Sequence, residues 1–135
     1  MVESWEMTKP DHARPDRETF RRDDRIRKRV DYQRCYREGS RHFAPLVTVH
    51  VHPSPAGGPR LGITATRRVG GSVVRQRLRR RTREIFRRWE GRADLPEVDI
   101  VVHLRPAAAE ASFEQLRDQI EKLLRRVGSR ERERP

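Results

Sequence analysis

The chain has 135 residues, enough for one domain of ordinary size, and 33% of them are hydrophobic while 39% are charged. Its net charge of +12 predicts a polyanionic partner, with nucleic acid as the first candidate. The single cysteine, Cys35, excludes an internal disulfide. The sequence contains neither a stretch near the ~20 apolar residues of a membrane span nor an apolar leader segment. We therefore expect a cytoplasmic protein without a membrane partner.

Arginine supplies nearly all of the positive charge, since lysine occurs only at Lys9, Lys28 and Lys122 among 32 basic residues. The planar guanidinium binds phosphate or guanine through two hydrogen bonds and stacks on bases, which suits RNA or DNA. A genome rich in G and C also favours arginine codons, so composition alone leaves both explanations open.

The two ends of the chain differ in pattern from its middle. Residues 1–22 are polar, contain two prolines and show no apolar period, which predicts a disordered basic and polar arm. The folded domain is expected over residues 23–127. Residues 128–135 alternate charges without an apolar partner and are expected to form a charged tail.

A short first helix with an aromatic side is predicted near the start of the domain. Asp31 is a suitable N-cap, and Tyr32, Cys35 and Tyr36 follow at helical spacing until Gly39. Cys35 fits a small buried apolar position in this helix.

Two strands are predicted next. Residues 46–52 alternate, with Val47, Val49 and Val51 on one side and Leu46, Thr48, His50 and His52 on the other. Residues 53–59 are turn-forming prolines, glycines and small residues, and alternation resumes from Leu61. The pattern predicts a hairpin with one apolar face and one face of small or polar residues.

The second half of the domain begins with the longest predicted helix, residues 72–89, with Ser72 as its cap. A strand follows over residues 100–104. Ser112 and Gln115 resemble a capping box, and an amphipathic helix runs from there to Gly128. The order of helix, strands, helix, strand and helix predicts an α+β sandwich in a single domain.

Helical periodicity divides the helix of residues 72–89 into an apolar side and a cationic side. The apolar side carries Val74, Leu78, Ile85 and Trp89. The cationic side carries Gln76, Arg79, Arg80, Arg83 and Arg87, flanked by Arg75 and Arg77. Glu84 is the only acid in the segment, so like charges four residues apart destabilise the isolated helix, which a polyanion would relieve. A merely solvated face is expected to contain more compensating carboxylates.

Three segments of the sequence resemble a known family. Residues 60–88, RLGITATRRVGGSVVRQRLRRRTREIFRR, closely resemble the signature of the protein subunit of bacterial ribonuclease P. Residues 31–39, DYQRCYREG, resemble its first helix, and residues 99–106, DIVVHLRP, its last strand. The resemblance covers residues 20–127 and implies the order α-β-β-β-α-β-α, with a four-stranded, mostly antiparallel sheet in a two-layer sandwich and a left-handed βαβ crossover.

The resemblance also implies two binding sites and no catalytic or metal-binding residue in the protein. The RNA subunit would perform the hydrolysis with Mg²⁺ that it holds itself, and the protein would bind this RNA and the 5′ leader of precursor tRNA. The positions that match the RNA-binding helix and its preceding loop are Arg67, Arg68, Arg75, Gln76, Arg77, Arg79, Arg80 and Arg83. Those that match the leader cleft are Tyr32, Tyr36, Thr48, His50, Thr64 and Thr66.

Three departures from the family pattern stand out. Gln76 replaces the usual asparagine between two arginines, which changes the reach of the amide. Arg81 and Thr82 occupy places that the family tends to give to apolar residues, so Arg81 is expected to snorkel. His50 replaces an aromatic residue with a hydroxyl group, and its ring can stack when neutral or bind phosphate when protonated.

Other interpretations are a structural RNA-binding protein, such as a ribosomal component, and an autonomous nuclease. The first needs no leader cleft, and the second needs a catalytic cluster. His50 and His52 lie two apart on a strand with no third group evident, so we expect two solvated histidines there. The histidines show no zinc-ligand spacing with Cys35. Helix-to-sheet packing is the alternative role for Tyr32 and Tyr36.

Overall fold

The computed structural model describes residues 24–55 and 57–132, so the predicted arm over residues 1–22 and the end of the predicted tail lie outside the described residues. The helices are α1 (Arg29–Glu38), α2 (Ser72–Arg88) and α3 (Phe113–Arg132). The strands are β1 (Ser40–Phe43), β2 (Val47–Pro53), β3 (Arg60–Thr64) and β4 (Val98–Leu104). Short 3-10 helices cover Glu90–Asp94 and Pro106–Glu110. The predicted order of elements is confirmed.

The four strands form one sheet in the order β1-β2-β4-β3. β1 pairs antiparallel with β2, β2 antiparallel with β4, and β3 parallel with β4. The predicted hairpin of the second and third strands is therefore wrong, because β4 lies between them. Val101 and Val102 are both fully buried on opposite faces of β4, so the strand with apolar residues on both faces takes a central position.

The main core lies between one face of the sheet and the helices α2 and α3. Val47, Val49 and Val51 of β2 are buried there, as their alternation predicts. Leu78 and Ile85 bring α2 onto this face, and Phe86, at 1% exposure, adds a core residue outside the predicted stripe. The α3 residues that complete the core are Leu116, Ile120, Leu123, Leu124 and Val127.

Helix α1 covers part of the opposite face of the sheet. Cys35 and Ile26 are buried against Val101 of β4, and Tyr32 packs on this small cluster. The Cys35 thiol donates to the Asp99 carbonyl at 3.7 Å, and burial raises its pKa to about 12. The thiol is therefore protonated at neutral pH, which confirms Cys35 as a packing residue.

Two predicted helix starts differ from those observed, and one is confirmed. α1 begins two residues before Asp31, after Lys28, and the Asp31 carboxylate accepts a hydrogen bond from Arg34 instead of capping the helix. α2 begins after Gly71 without a side-chain cap, so Ser72 lies inside the helix. The capping box of Ser112 and Gln115 is confirmed by reciprocal backbone-to-side-chain bonds of 2.9 and 3.1 Å.

The end of the last helix also differs from the prediction. Helix α3 continues through Gly128 to Arg132, so the first part of the predicted charged tail is helical. Gly128 is buried and lines a cavity with Trp89, Leu95 and Arg125. Gly128 therefore does not end the helix. No described helix has the length and apolar character needed to cross a bilayer.

Candidate nucleic-acid interface

The cationic side of α2 is exposed to solvent over its first three turns. Gln76 and Arg80 are exposed, and Arg79 and Arg83 are partly exposed. Arg67 and Arg68, in the loop before the helix, are also exposed. The structure thus leaves the predicted cations of loop and helix accessible to solvent.

Acidic compensation on α2 is confined to its last turns. The Glu84 carboxylate accepts hydrogen bonds from Arg87 at 2.5 Å and pairs with Arg88 at 2.7 Å. Burial, followed by the charges of Arg25, Arg79 and Arg80, lowers the pKa of Arg83. Positive charge is therefore concentrated around Arg83, where a phosphate group would relieve the repulsion.

Arg75 and Arg77 lie at the border of the cationic side and are partly buried. The Arg77 guanidinium donates to the Ala109 carbonyl at 2.9 Å, which ties α2 to the 3-10 helix after β4. The Nε atoms of both arginines are buried and lack hydrogen-bond partners within the described chain. Arg77 thus has a structural contact in addition to any role toward a ligand.

The two departures in the middle of α2 are accommodated differently. Thr82 is fully buried, and its hydroxyl donates to the Leu78 carbonyl one turn earlier at 2.8 Å. This bond satisfies the hydroxyl inside the core. Arg81 remains partly exposed, as expected for a side chain whose stem lies beside the core and whose charge reaches solvent.

A group of aromatic and polar side chains forms the other predicted site, between α1 and the sheet. The Tyr36 ring lies 4.5 Å from the His50 ring and 5.9 Å from the His103 ring, centroid to centroid. The Tyr36 hydroxyl donates to Thr64 Oγ1 at 2.9 Å and lies 2.9 Å from His103 Nδ1. We call Tyr36, His50, Thr64 and His103 the cleft cluster.

His50 is not the solvated histidine that the sequence led us to expect. Its exposure is 7%, and burial, with smaller contributions from His103, Arg41 and His42, lowers its pKa to about 4. A pKa this low favours the neutral ring near pH 7, the form expected to stack, over the protonated form expected to bind phosphate. Its Nδ1 is buried without a hydrogen-bond partner among the described residues.

Sheet register explains which predicted cleft residues come together. Thr48, Thr64 and His103 form one cross-strand row, so their side chains share a face. Thr66 lies beyond the end of β3 and is exposed, so its predicted place on this sheet face is wrong. Sequence reasoning missed His103 as a site residue, although it lies two residues after Val101 on β4 and therefore shares that residue's face of the sheet.

Tyr32 lies apart from the cleft cluster, at the edge of β3. It packs over Gly62, where an added Cβ atom would come within 2.7 Å of the Tyr32 ring. Tyr32 also lines a cavity of about 270 Å³ that includes Arg79 and Arg83 of α2. Tyr32 therefore both packs and faces open space, and the two predicted sites meet at this edge of the sheet. The full lining is Arg25, Ile26, Tyr32, Leu61, Ile63, Arg79 and Arg83.

An ion-pair network that sequence reasoning missed positions α1 over the sheet. Arg60 of β3 donates to both oxygens of Asp99 at 2.8 and 2.7 Å, and lies 3.3 Å from Asp31 of α1. Burial raises the pKa of Asp31, but the hydrogen bond from Arg34 and the charge of Arg60 outweigh it, so the pKa lies below its usual value. The network joins β3, β4 and α1, which form the floor and one wall of the cleft.

The described residues do not gather a metal site. No group of three or more histidine, cysteine, aspartate or glutamate side chains is arranged to hold an ion within residues 24–55 and 57–132.

An α+β sandwich with a cationic helix on one layer and an aromatic, polar cleft on the other is an arrangement suited to binding nucleic acid. The chain belongs to the ribonuclease P protein family, whose model, described as Ribonuclease P, matches residues 20–128. The ribonuclease P protein component of Symbiobacterium thermophilum is 37% identical over 110 residues, which cover 81% of this chain and 95% of that protein.

Two further relatives support this assignment. The ribonuclease P protein component of Desulfovibrio desulfuricans is 39% identical over 108 residues, which cover 76% of this chain and 82% of that protein. The solved structure of the RNase P protein from Thermotoga maritima superposes with a TM-score of 0.67 at 31% identity, covering 76% of this chain and 96% of that one. The predicted family and fold class are confirmed, and the family implies a role in tRNA processing with an RNA partner.

Proposed function

We propose that this chain is the protein subunit of a ribonuclease P holoenzyme and binds the catalytic RNA subunit through α2 and the loop before it. The observation that carries this proposal is the concentration of arginines around Arg83, from Arg75 to Arg80. Glu84, the single carboxylate of the helix, pairs with Arg87 and Arg88 instead. Phosphates of a folded RNA match this charge and release counterions on binding.

The cleft between α1 and the sheet is proposed to hold the 5′ leader of precursor tRNA. Leaders vary in sequence, so a suitable site stacks bases on aromatic rings and uses few base-specific hydrogen bonds. The exposed ring of Tyr36 supplies such a surface, and the buried ring of His50 packs against it at 4.5 Å between centroids. The leader would lie against the row of Thr48, His103 and Thr64 beneath them.

The protein's part in the reaction is to bind and orient its two RNA partners. Hydrolysis of the phosphodiester at the 5′ end of the mature tRNA is assigned to the RNA subunit, which would hold Mg²⁺ with its own phosphates. The protein adds positive charge where two polyanions meet, and this lowers their repulsion. The proposed compartment is the cytoplasm.

The test is cleavage of precursor tRNA at low Mg²⁺ concentration by the RNA subunit, alone and with this protein. Stimulation by the protein is expected, because its cations replace part of the charge screening that Mg²⁺ supplies. A structural RNA-binding protein of another assembly would give no stimulation.

The leader cleft is tested separately with Tyr36→Ala. Affinity for precursor tRNA should fall by the equivalent of ~1–3 kcal/mol per lost stacked base, and affinity for mature tRNA should fall less. Equal losses on both substrates would contradict the cleft assignment.

A further inference from the structure

An exposed aromatic residue lies at the edge of the sheet, in line with the cleft cluster. Phe43 of β1 is 60% exposed, whereas its neighbour His42 is buried toward the core. Single exposed apolar residues are common on protein surfaces, so exposure alone decides nothing. What distinguishes Phe43 is its position in the sheet and the cations beside it.

The register places Phe43 at the end of the row that forms the cleft floor. Phe43 pairs with Thr48, Thr48 with His103, and His103 with Thr64. Cross-strand partners share a face, so this row runs from the β1 edge to the residue that the Tyr36 hydroxyl contacts. Three strand spacings amount to about 15 Å, room for roughly four stacked nucleotides at ~3.4 Å each.

Two arginines flank Phe43, and neither has a carboxylate partner among the described residues. The Arg41 guanidinium lies over the Phe43 ring, 5.7 Å from its centroid. Arg41 is also the cross-strand partner of His50, so it connects the edge to the cleft cluster. Arg105 donates to the carbonyl of Ala44, the residue after Phe43, at 3.1 Å. An aromatic ring with one guanidinium over it and a second at the neighbouring residue matches a base and its phosphates.

We infer that the leader-binding surface extends across β1 to the sheet edge, where Phe43 stacks on a leader base beyond the cleft cluster and Arg41 contacts its phosphate. This inference rests on the proposed leader function of the cleft. It adds a subsite for single-stranded RNA that becomes available only to leaders long enough to cross the sheet. Long leaders should therefore bind more tightly than short ones.

The experiment measures the affinity of the reconstituted holoenzyme for precursor tRNAs whose leaders lengthen from ~2 to ~10 nucleotides, a range around the ~4 nucleotides of the smallest single-strand sites. The unaltered protein should show a second gain in affinity at the longer lengths. Phe43→Ala should reduce that gain about fivefold or more, and Arg41→Gln should reduce it and its salt dependence.

Matched variants separate stacking from other effects. Phe43→Tyr should retain the gain and Phe43→Leu should lose it, because only the former keeps an aromatic face. Arg126→Gln removes an exposed arginine from α3, on the other face of the sheet, and should leave the length dependence as it is. Unfolding midpoints of all variants should agree, since Phe43 is mostly exposed.

Full retention of the second gain in affinity by Phe43→Ala would overturn the subsite, and so would an equal gain in Phe43→Leu. A change of oligomeric state in Phe43→Ala would also overturn it, because the β1 edge would then be a contact between copies. Tyr36→Ala in the same series distinguishes the two proposals. If Tyr36→Ala affects leader binding and Phe43→Ala does not, only the edge subsite fails. If neither does, the leader cleft itself fails.

Discussion

The cationic side of α2 and the cleft cluster are built in opposite ways. Gln76, Arg79, Arg80 and Arg83 lie within two turns of one helix, so a single amphipathic segment presents them together. Tyr36, His50, Thr64 and His103 come from four elements, α1, β2, β3 and β4. The first surface needs only a formed helix docked by its apolar side. The second exists only when three strands are in register and α1 is held above them.

The largest effect on stability is expected from substitution of Arg60, a residue whose variants also distinguish the cleft cluster from the cationic side of α2. Arg60→Ala leaves the carboxylate of Asp99, 1% exposed, without its two hydrogen bonds, at an expected cost of ~3–5 kcal/mol in the free energy of unfolding. Denaturant unfolding measures this cost. The exposed Arg126→Ala on α3 is the control and should change stability by less than ~0.5 kcal/mol.

The milder variant Arg60→Lys keeps a charge but loses the bidentate geometry. If this variant folds, affinity for precursor tRNA should fall more than affinity for the RNA subunit, because Arg60 positions α1 and does not touch α2's cationic side. Equal losses in both affinities would mean that the cleft cluster and the cationic side of α2 are coupled, contrary to the independence argued for them here.

A pH effect of intermediate size is expected from His50. Its folded pKa of about 4 lies below the ordinary value of 6.5, so the unfolded chain binds a proton more readily than the folded one. The stability from the neutral buried ring is full above pH 6.5 and is lost as pH falls toward 4. Between about pH 7 and pH 5 the loss should be on the order of 1–2 kcal/mol.

Thermal or denaturant unfolding across this pH range checks the prediction. In His50→Phe the buried ring cannot be protonated, so the slope of stability against pH should flatten between those limits. An unchanged slope would show that His50 is protonated as readily in the folded protein as in the unfolded chain. Precursor tRNA binding by this variant further shows whether a neutral ring at this position is sufficient for stacking.

The smallest effect is expected from the double variant Arg79→Ala, Arg83→Ala on the cationic side of α2. Affinity for the RNA subunit should fall about tenfold, and the slope of log affinity against log salt should become shallower by roughly 1.5, as expected for two lost phosphate contacts. The matched control is Arg117→Ala, Arg126→Ala on α3. The assignment fails if both double variants bind with the same affinity and salt slope.

Particular residues show where sequence reasoning succeeds. The alternation of Val47, Val49 and Val51 predicted the buried face of β2, and the spacing of Leu78 and Ile85 predicted the buried side of α2. The capping box at Ser112 was readable because its hydrogen bonds join residues three apart. These features depend on residues that are close together in the chain, so the spacing of residue types along the sequence predicts them.

Other residues show where it fails. The pairing of β2 with β4, the burial of His50 and the network of Arg60 with Asp99 all join residues far apart in the chain. Alternation identifies the faces of a strand but not its neighbours. The continuation of α3 through Gly128 was missed as well, and there Gly128 lines a cavity with Leu95 and Trp89, which lie 33 or more positions earlier.

The sequence by itself determined that one helix of this protein is cationic on one side and apolar on the other, because charge and helical period are properties of neighbouring residues. Tertiary structure alone decided that His50 is neutral, that His103 joins Tyr36 and that Phe43 ends the same row. Burial and proximity set these properties, since desolvation changes a pKa and strand register decides which side chains meet.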